Sequence, residues 1–521
     1  MNYNDNLVEI MSKYNFFLFV LILIILVCGI GYAQNSPGSS DLVITPARYP
    51  FPQNANIRYA VPRVMPGSRS QAQMNQDVID QFKKILQEYF IEQGTSNSDN
   101  PDEFRMAIFH TSGGNASNNQ ITCSESMGYG MLMLAYMAGT DEHFMNNSVS
   151  NQNLKVLGGR QLTIKDYFDG MYRTLISFPT RTGSSIDGSR RLIAWELVAN
   201  GRTQSGNWPG SAGPWRDTGS SASSATDGDL DIIYALLLAD KQWGSNGRYN
   251  YRQQAERMIR AMWQDIVDKG NNGYHLKIGN WASSWQNSSN LSRPSDFMLT
   301  HLRTFKAYNN NDWQRVINQT NNIIGQITNQ QSPRNGLLPG FVFVDRSTGV
   351  WQPNHSTSGS WHESWTGGSS DRPTSTNDDR FDWNACRVPW RLGTDILLYG
   401  DTTFNYGGAT PGTTTLGETC VKPLFEFLLR GSSSSGGANG NFNSMRRNHL
   451  MNGTGSTTGI NSAYGSPLAV VTAIYGTPAE MEAAWTYMRT RPFRDGAQYG
   501  DYINVLCMIV ASGNWWAPEM R

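Results

Sequence analysis

Apolar residues recur at three- and four-residue steps along most of this chain. From Met74 the run MNQDVIDQFKKILQEYFIEQG sets Val78, Phe82, Ile85, Leu86, Tyr89 and Phe90 on one face and closes on Gly94, which predicts a helix over 74–93. Similar patterns predict helices over about 124–138, 162–177, 228–243, 250–268, 295–308, 311–328, 384–399, 415–429, 462–474, 478–489 and 499–511, about twelve in all. Strand-like alternation is confined to short pieces such as FVFVD at 341–345. Long loops between the helices hold the Gly, Ser, Asn and Trp residues. Twelve helices in one run suggest hairpins arranged as paired rings. A closed toroid of that kind gathers helix N-termini and their loops at one mouth, where loop-borne function collects. Periodicity does not by itself require closure.

Three stretches combine this pattern with charge. In 121–139, ITCSESMGYGMLMLAYMAG, a lone carboxylate, Glu125, heads an otherwise apolar helix. Ser124 is placed to cap it, and Met127, Met131, Leu132, Leu134, Tyr136 and Met137 supply an apolar surface that only a buried helix tolerates. The helix dipole favours the ionised Glu, whereas packing among methionines and Tyr129 raises its pKa by desolvation. Such a contest suits a general acid, although the segment alone fits better a Glu that only complements the dipole. In 225–244, ATDGDLDIIYALLLADKQWG, Asp227, Asp229 and Asp231 crowd one helix start. One or two acids would cap it and match the dipole; three repel each other. The glycine and distal Glu of a calcium loop are missing at their offsets, which leaves a sugar-binding carboxylate as the functional reading. In 378–393, DDRFDWNACRVPWRLG, Arg387 and Arg391 lie one turn apart and Trp383 stands next to Asn384. Two arginines on one face must meet carboxylates, either Asp382 and Asp395 nearby or acids across a cleft.

Composition narrows the class. A chain of 521 residues, 39% hydrophobic and 16% charged, is a folded globular protein with room for a large core. Its 42 basic and 42 acidic residues, without long runs of either sign, give no electrostatic reason to expect nucleic acid or an anionic membrane as partner. The 16 Trp, 22 Tyr and 51 Gly put flat rings on irregular segments, as sugar-stacking clefts require and as a large aromatic core would also do. Phe16 to Gly29 is too short for a comfortable membrane span; with Lys13 ahead and Gly31 and Ala33 behind, it reads as a signal peptide cleaved near Ala33, the start being Met1 or Met11. Secretion or periplasmic export follows, with no membrane partner for the mature chain. The expected organisation is a signal peptide over 1–33, an extended leader over 34–70 and one domain over 71–521, monomeric. Cys123, Cys386, Cys420 and Cys507 remain after cleavage, too widely spaced to show a disulfide framework. The seven His show no HExxH or other ligand spacing, so no metal or other cofactor is expected.

Together these stretches resemble glycoside hydrolase family 8, the inverting β-1,4-glycanases with an (α/α)6 barrel. ATDGDLDIIYALLLADKQW fits the family signature of Ala, Ser or Thr, Asp, then Asp, an apolar helix and a Trp. SESMGYGM is similar to the segment that carries the proton donor, and RPSDFM at 293–298 and NACRVPWR at 384–391 also look like family segments. The resemblance runs from about Met74 to the end of the chain. It implies an all-α (α/α)6 barrel of about twelve helices whose long loops form a substrate cleft. It assigns Glu125 as proton donor, Asp227 as the carboxylate that grips and distorts the sugar before the scissile bond, and Arg387 as the cleft arginine. Trp383 and Trp195 match aromatic platforms, and Tyr129 and Asn384 complete the expected sugar-binding set.

The chain departs from the commonest family pattern at the base. There an Asp directly follows the aromatic, whereas this chain has Asn384, and a neutral amide cannot take a proton from water. In a second subgroup, similar to this chain in having Asn, the base comes from the loop just upstream. That loop, about 353–379, holds Glu363 in the aromatic-rich SWHESW and also Asp371. Glu363 is the expected base and Asp371 the alternative. The expected protein is a secreted endo-acting inverting hydrolase of β-1,4-linked glycans, of cellulose-type or mixed-linkage β-glucan first and chitosan second. A non-catalytic glycan-binding protein on the same scaffold is the reading from a different class; it would keep Trp195 and lose the proton donor.

Overall fold

The computed structural model describes residues 44–53, 58–93, 103–110, 120–145, 154–157, 159–199, 215–219, 222–270, 273–282, 289–345, 347–354, 379–494 and 497–521. All twelve expected helices form among them. They are α1 (Gln71–Glu88), α2 (Ser124–Tyr136), α3 (Ile164–Ser177), α4 (Thr226–Trp243), α5 (Tyr251–Asp265), α6 (Leu299–Tyr308), α7 (Trp313–Asn329), α8 (Val388–Tyr399), α9 (Lys422–Phe425, continued by wider turns over Gly417–Val421 and Glu426–Arg430), α10 (Ser462–Tyr475), α11 (Pro478–Thr490) and α12 (Ala497–Ala511).

Burial separates the extremes among these helices. Twelve of the thirteen residues of α2 and eleven of the twelve of α8 are buried, against seven of eighteen in α1 and seven of fifteen in α5. A helix apolar on every side must be enclosed, whereas one with a single apolar stripe faces solvent elsewhere. The even-numbered helices form the inner ring and the odd-numbered ones the outer ring. Closure, which periodicity left open, follows from the packing: α2 contacts α4, α4 contacts α6, and so on through α8, α10 and α12, which returns to α2. The architecture is an all-α (α/α)6 barrel. Each outer helix carries the chain back, so the six inner helices run the same way and share one N-terminal mouth.

Capping differs among the helices: the inner helix α10 is capped by the Asn461 side chain, and the outer helix α7 has no side-chain cap. Side chains of Ser70, Thr163, Asn250 and Thr477 cap the outer helices α1, α3, α5 and α11. The inner helices α2, α4, α6 and α8 lack a side-chain cap. Their first N–H groups and positive dipole ends are left to whatever gathers at the mouth. Ser124, expected as the cap of α2, is instead its first residue; Cys123 holds the cap position, and the Ser124 amide donates to the Trp195 carbonyl at 2.7 Å. Its side chain is packed against Gly228, where an added Cβ would overlap it.

Short strands shape the mouth loops. β1 (Gln120–Cys123), β2 (Glu196–Ala199) and β3 (Trp215–Asp217) form an antiparallel sheet that runs straight into α2. β4 (Leu291–Ser292), β5 (Val342–Asp345) and β6 (Val350–Pro353) form a second, which contains the strand expected at 341–345. The opposite end of the barrel is filled. Amides of Arg48, Phe51, Val61 and Val64, in the stretch read as a leader, donate to carbonyls of Gln242, Ala138, Leu397 and Ala473 at the C-terminal ends of inner helices. From the chain terminus, Trp515 packs against Tyr136 and Tyr234, whose hydroxyls donate to the Trp516 carbonyl at 2.7 and 3.2 Å. The expected signal peptide lies outside the described residues. No helix among the described residues is long and apolar enough to cross a membrane.

Candidate active site

Three residue pairs, each four apart, meet from three inner helices: Glu125 and Tyr129 on α2, Asp227 and Asp231 on α4, and Arg387 and Arg391 at the start of α8. Residues at i and i+4 sit one above the other on a helix face, so the helices present two stacked tiers. In the upper tier Arg387 Nη1 is ion-paired with Glu125 Oε1 and donates to Asp227 Oδ2 at 2.9 Å, while Nη2 donates to Ser295 Oγ at 2.9 Å. In the lower tier Arg391 donates to both Asp231 oxygens at 2.9 and 2.5 Å, and His301 Nε2 lies 2.9 Å from Asp231 Oδ1. The Tyr129 hydroxyl joins the tiers: it donates to Glu125 Oε1 at 2.9 Å, and the Arg391 guanidinium lies 5.8 Å from its ring. Glycine lets α2 and α4 approach closely enough for this, since a Cβ on Gly128 would stand 2.6 Å from the Asp231 Cβ.

This stacking explains the three crowded aspartates. Asp227 belongs to the upper tier and Asp231 to the lower. Asp229, out of phase with both, is fully buried beside Ser224 and the Ile193 amide, and burial together with the Asp227 charge pushes its carboxyl well above the usual range. Three charges therefore never face one another: one carboxyl is neutral, and two are ion-paired.

The upper tier separates its carboxyls by environment. Burial raises the Glu125 carboxyl above its ordinary value; the Arg387 charge opposes this, Asp227 reinforces it, and the Tyr129 hydrogen bond favours the anion. Tyr129 thus works against the desolvation with which the sequence had linked it. Burial would raise Asp227 too, but Arg293 and Arg387 more than offset it and hold the carboxyl well below the usual range. Arg293 Nη2 lies 3.0 Å from Asp227 Oδ1, and the Gly228 amide donates to the same oxygen at 2.9 Å. Burial also holds His110 low, at about 4, so it is neutral where its Nδ1 meets Ser126 Oγ at 2.8 Å. Two carboxyls side by side, one biased toward the acid and one locked as the anion, can donate a proton and grip a polar ring at the same place. The Glu125 side chain is 17% exposed against 3% for Asp227, so the carboxyl that burial raises is the one that reaches the opening.

Aromatic rings flank that opening. Trp195, Trp281 and Trp383 are the exposed tryptophans among the described residues, at 37, 37 and 41%. Trp195 is pinned between the catalytic helix starts, its amide donating to the Ser223 carbonyl at 2.8 Å and its carbonyl accepting from Ser124. Trp281, which the sequence did not single out, follows Asn280, whose side chain receives the Ser224 amide at 2.9 Å. Trp383 rests edge-on against Tyr464 at 5.3 Å, with Arg447 5.7 Å from its ring. Asn384 is half-buried next to it.

Arg387 and Arg391 both meet acids across the cleft. Asp395 is held by Arg303 at 2.9 and 3.0 Å and Asp382 by Tyr464 and Arg447. Glu363 and Asp371, the two base candidates, lie outside the described residues. The ends of their loop are fixed: the Asn354 amide donates to the Phe341 carbonyl at 3.0 Å, and Gly340 donates to the Arg380 carbonyl at 2.9 Å. Both ends therefore stand at adjacent residues, and the returning one leads directly to Trp383 and Arg387. Cys123, Cys386, Cys420 and Cys507 are buried free thiols. Among the described residues no group of His, Cys, Asp and Glu is arranged to hold a metal ion.

Comparison with known proteins agrees with this geometry. The model of glycosyl hydrolases family 8 matches residues 208–366, which include Asp227, Arg293 and Asp296. A "Beta-glucanase" of Niallia circulans is 30% identical over 469 residues, 90% of this chain and 91% of that protein, and an "Endoglucanase" of Bacillus sp. (strain KSM-330) is 27% identical over 90% of this chain and 82% of its own length. Among solved structures, the apo β-1,3-1,4-glucanase of Paenibacillus sp. X4 superposes with a TM-score of 0.66 at 28% identity, covering 90% of this chain and 99% of that one. A cold-adapted family 8 xylanase shares the fold at a TM-score of 0.59 and 15% identity, over 92% of this chain and 99% of its own. With a tiered carboxylate–arginine cluster at the mouth of an (α/α)6 barrel and a relative matched along nearly its whole length, this chain belongs to glycoside hydrolase family 8 and is an endo-glycanase.

Proposed function

We propose that the protein hydrolyses β-1,4 links inside neutral β-glucan, of the cellulose or mixed-linkage type, with inversion at the anomeric carbon. The observation that carries this reading is the upper tier: Glu125, its carboxyl raised by burial, stands beside Asp227 under an opening flanked by exposed tryptophans. Glu125 donates its proton to the leaving oxygen. Asp227 stays ionised and binds the distorted sugar. A base on the far side, Glu363 from the 353–379 loop, takes a proton from the attacking water. Inversion calls for two such carboxyls about 6.5–9.5 Å apart, so that a water fits between base and sugar. Among the described residues Arg293 and Arg387 share the floor with Glu125, Asp227 and Asp296, so cations offset most of the negative charge that a polycation such as chitosan would seek there. The names of the relatives, β-glucanase and endoglucanase, support the same choice. The proposal includes export, supported by the apolar stretch from Phe16 and the small residues before Gln34, and action as a monomer.

Substrate choice is tested with the purified protein on lichenan, carboxymethyl cellulose, chitosan and xylan, following reducing ends. Release from lichenan or carboxymethyl cellulose is expected to dominate; release mainly from chitosan or xylan would move the assignment to that glycan. Asp227→Asn tests the sugar-gripping role. The amide keeps shape and hydrogen bonding at the helix start but loses the charge facing Arg293 and Arg387. Turnover is expected to fall by about a hundredfold or more. If kcat stays at the wild-type level, Asp227 is a structural residue.

A further inference from the structure

The segment Arg293-Pro294-Ser295-Asp296 forms one tight turn just before α6, and its Arg293 and Ser295 side chains reach the upper tier. Arg293 Nε lies 3.0 and 3.1 Å from the two oxygens of Asp296, while its Nη2 reaches Asp227 Oδ1 at 3.0 Å. Ser295 Oγ, from the same turn, accepts from Arg387 Nη2 at 2.9 Å. Asp296 and Ser295 are buried, so neither is present to bind solvent. Both oxygens of Asp227 are thus engaged by cations from opposite sides, Arg293 on one and Arg387 on the other.

We propose that Arg293 is a positioning residue: fixed by Asp296, it holds Asp227 in the orientation and charge state that the sugar site needs, while Ser295 steers Arg387 toward Glu125. The inference rests on the reading of Asp227 as part of that site, which Asp227→Asn tests by itself. A guanidinium faces two carboxylates through separate edges of a rigid planar fork, whereas an ammonium offers three donors with no fixed geometry. Burial and the Asp227 charge push the Asp296 carboxyl up to about 7 against the pull of Arg293 and Arg387.

The charged and titratable groups around Arg293 are Glu125 from α2, Asp227 from α4, Asp296 from its own turn and Arg387 from α8, with neutral His110 and Tyr129 behind them. Removing the Arg293 charge makes ionisation less favourable for both Glu125 and Asp227, so both titrate at higher pH. Activity requires Asp227 and the base ionised and Glu125 protonated. Asp227 is held well below the usual range, so the base sets the acidic limb and Glu125 the alkaline one. The alkaline limb of the kcat/KM profile therefore moves to higher pH in Arg293→Gln, and kcat at the optimum falls by about tenfold or more. Arg293→Lys restores that limb to its wild-type position while recovering kcat only in part. A merely structural arginine would change Tm and yield, not the position of the limbs. The profile is measured on whichever glycan the wild-type protein hydrolyses, so a wrong choice of substrate does not affect it. A wild-type alkaline limb in Arg293→Gln, or one in Arg293→Lys displaced from its wild-type position, would overturn the proposal; if Arg293→Gln does not fold, Arg293→Met, which also removes the charge, is read in the same way.

Discussion

Glu125→Gln is expected to remove hydrolysis by at least about 10²- to 10⁴-fold while the barrel stays folded. The substitution deletes the transferable proton and leaves a side chain of the same shape at the start of α2. Arg387 keeps Asp227 and Ser295 as partners, so no buried cation is stranded. Stability offers a second readout. Burial raises the folded-state pKa of Glu125 above its ordinary value, so the folded state binds that proton more tightly than the unfolded one. The corresponding stability is complete below the unfolded pKa and is lost as pH rises through the folded value. At neutral pH the glutamine variant is therefore expected to melt at or above the wild-type temperature, with the difference shrinking in acid. A variant that retains activity within about tenfold of wild type would show that another group supplies the proton.

Glu363→Ala is expected to abolish turnover by a similar factor, about 10²- to 10⁴-fold, with substrate binding largely kept. The glycan still meets Asp227, Arg387 and the tryptophans; only the group that activates the water is gone. Asp371→Ala should be mild by comparison, and the opposite ranking would move the base to Asp371. Azide separates the roles further. In an inverting enzyme whose base has been truncated, a small anion enters from the water's side and gives a glycosyl azide of inverted configuration. Azide product is expected from Glu363→Ala and not from Glu125→Ala. Retention of anomeric configuration in the wild-type product would refute the inverting scheme altogether.

Much of this molecule is legible in its amino-acid sequence. Helical period, the Gly and Pro breaks and the contrast between helices apolar all round and helices with one apolar stripe fix the twelve elements within a few residues, because both signals are local. The placement of Glu125 and Asp227 in the first turns of buried helices, and of Arg387 one turn from Arg391, is likewise visible in the chain. What the sequence does not supply is which helix faces which. Arg387 and Arg391 have acids nearby in Asp382 and Asp395, yet they bond Glu125, Asp227 and Asp231, more than a hundred residues away. The choice falls to the crossing of α2, α4 and α8, which depends on Gly128 and Gly228 lying where two backbones nearly touch.

The same division runs through the residues around the site. Apart from the resemblance that marks Asp227, nothing local distinguishes the three aspartates of 227–231; their phase on a packed helix makes one a neutral buried acid and the other two partners in stacked ion pairs. Arg293 and Asp296 are visible as part of a family-like segment but carry no role there, since Asp227, the acid that Arg293 joins to Asp296, comes from a different helix. By itself the sequence determined the helices, the proton-donor candidate and the family resemblance, which all reside in contiguous residues with a period. The tertiary structure decided ring closure, the partners of each arginine and the protonation bias of each carboxyl. Those depend on burial and on charges brought within about 3 Å from distant parts of the chain, and no local pattern encodes such distances.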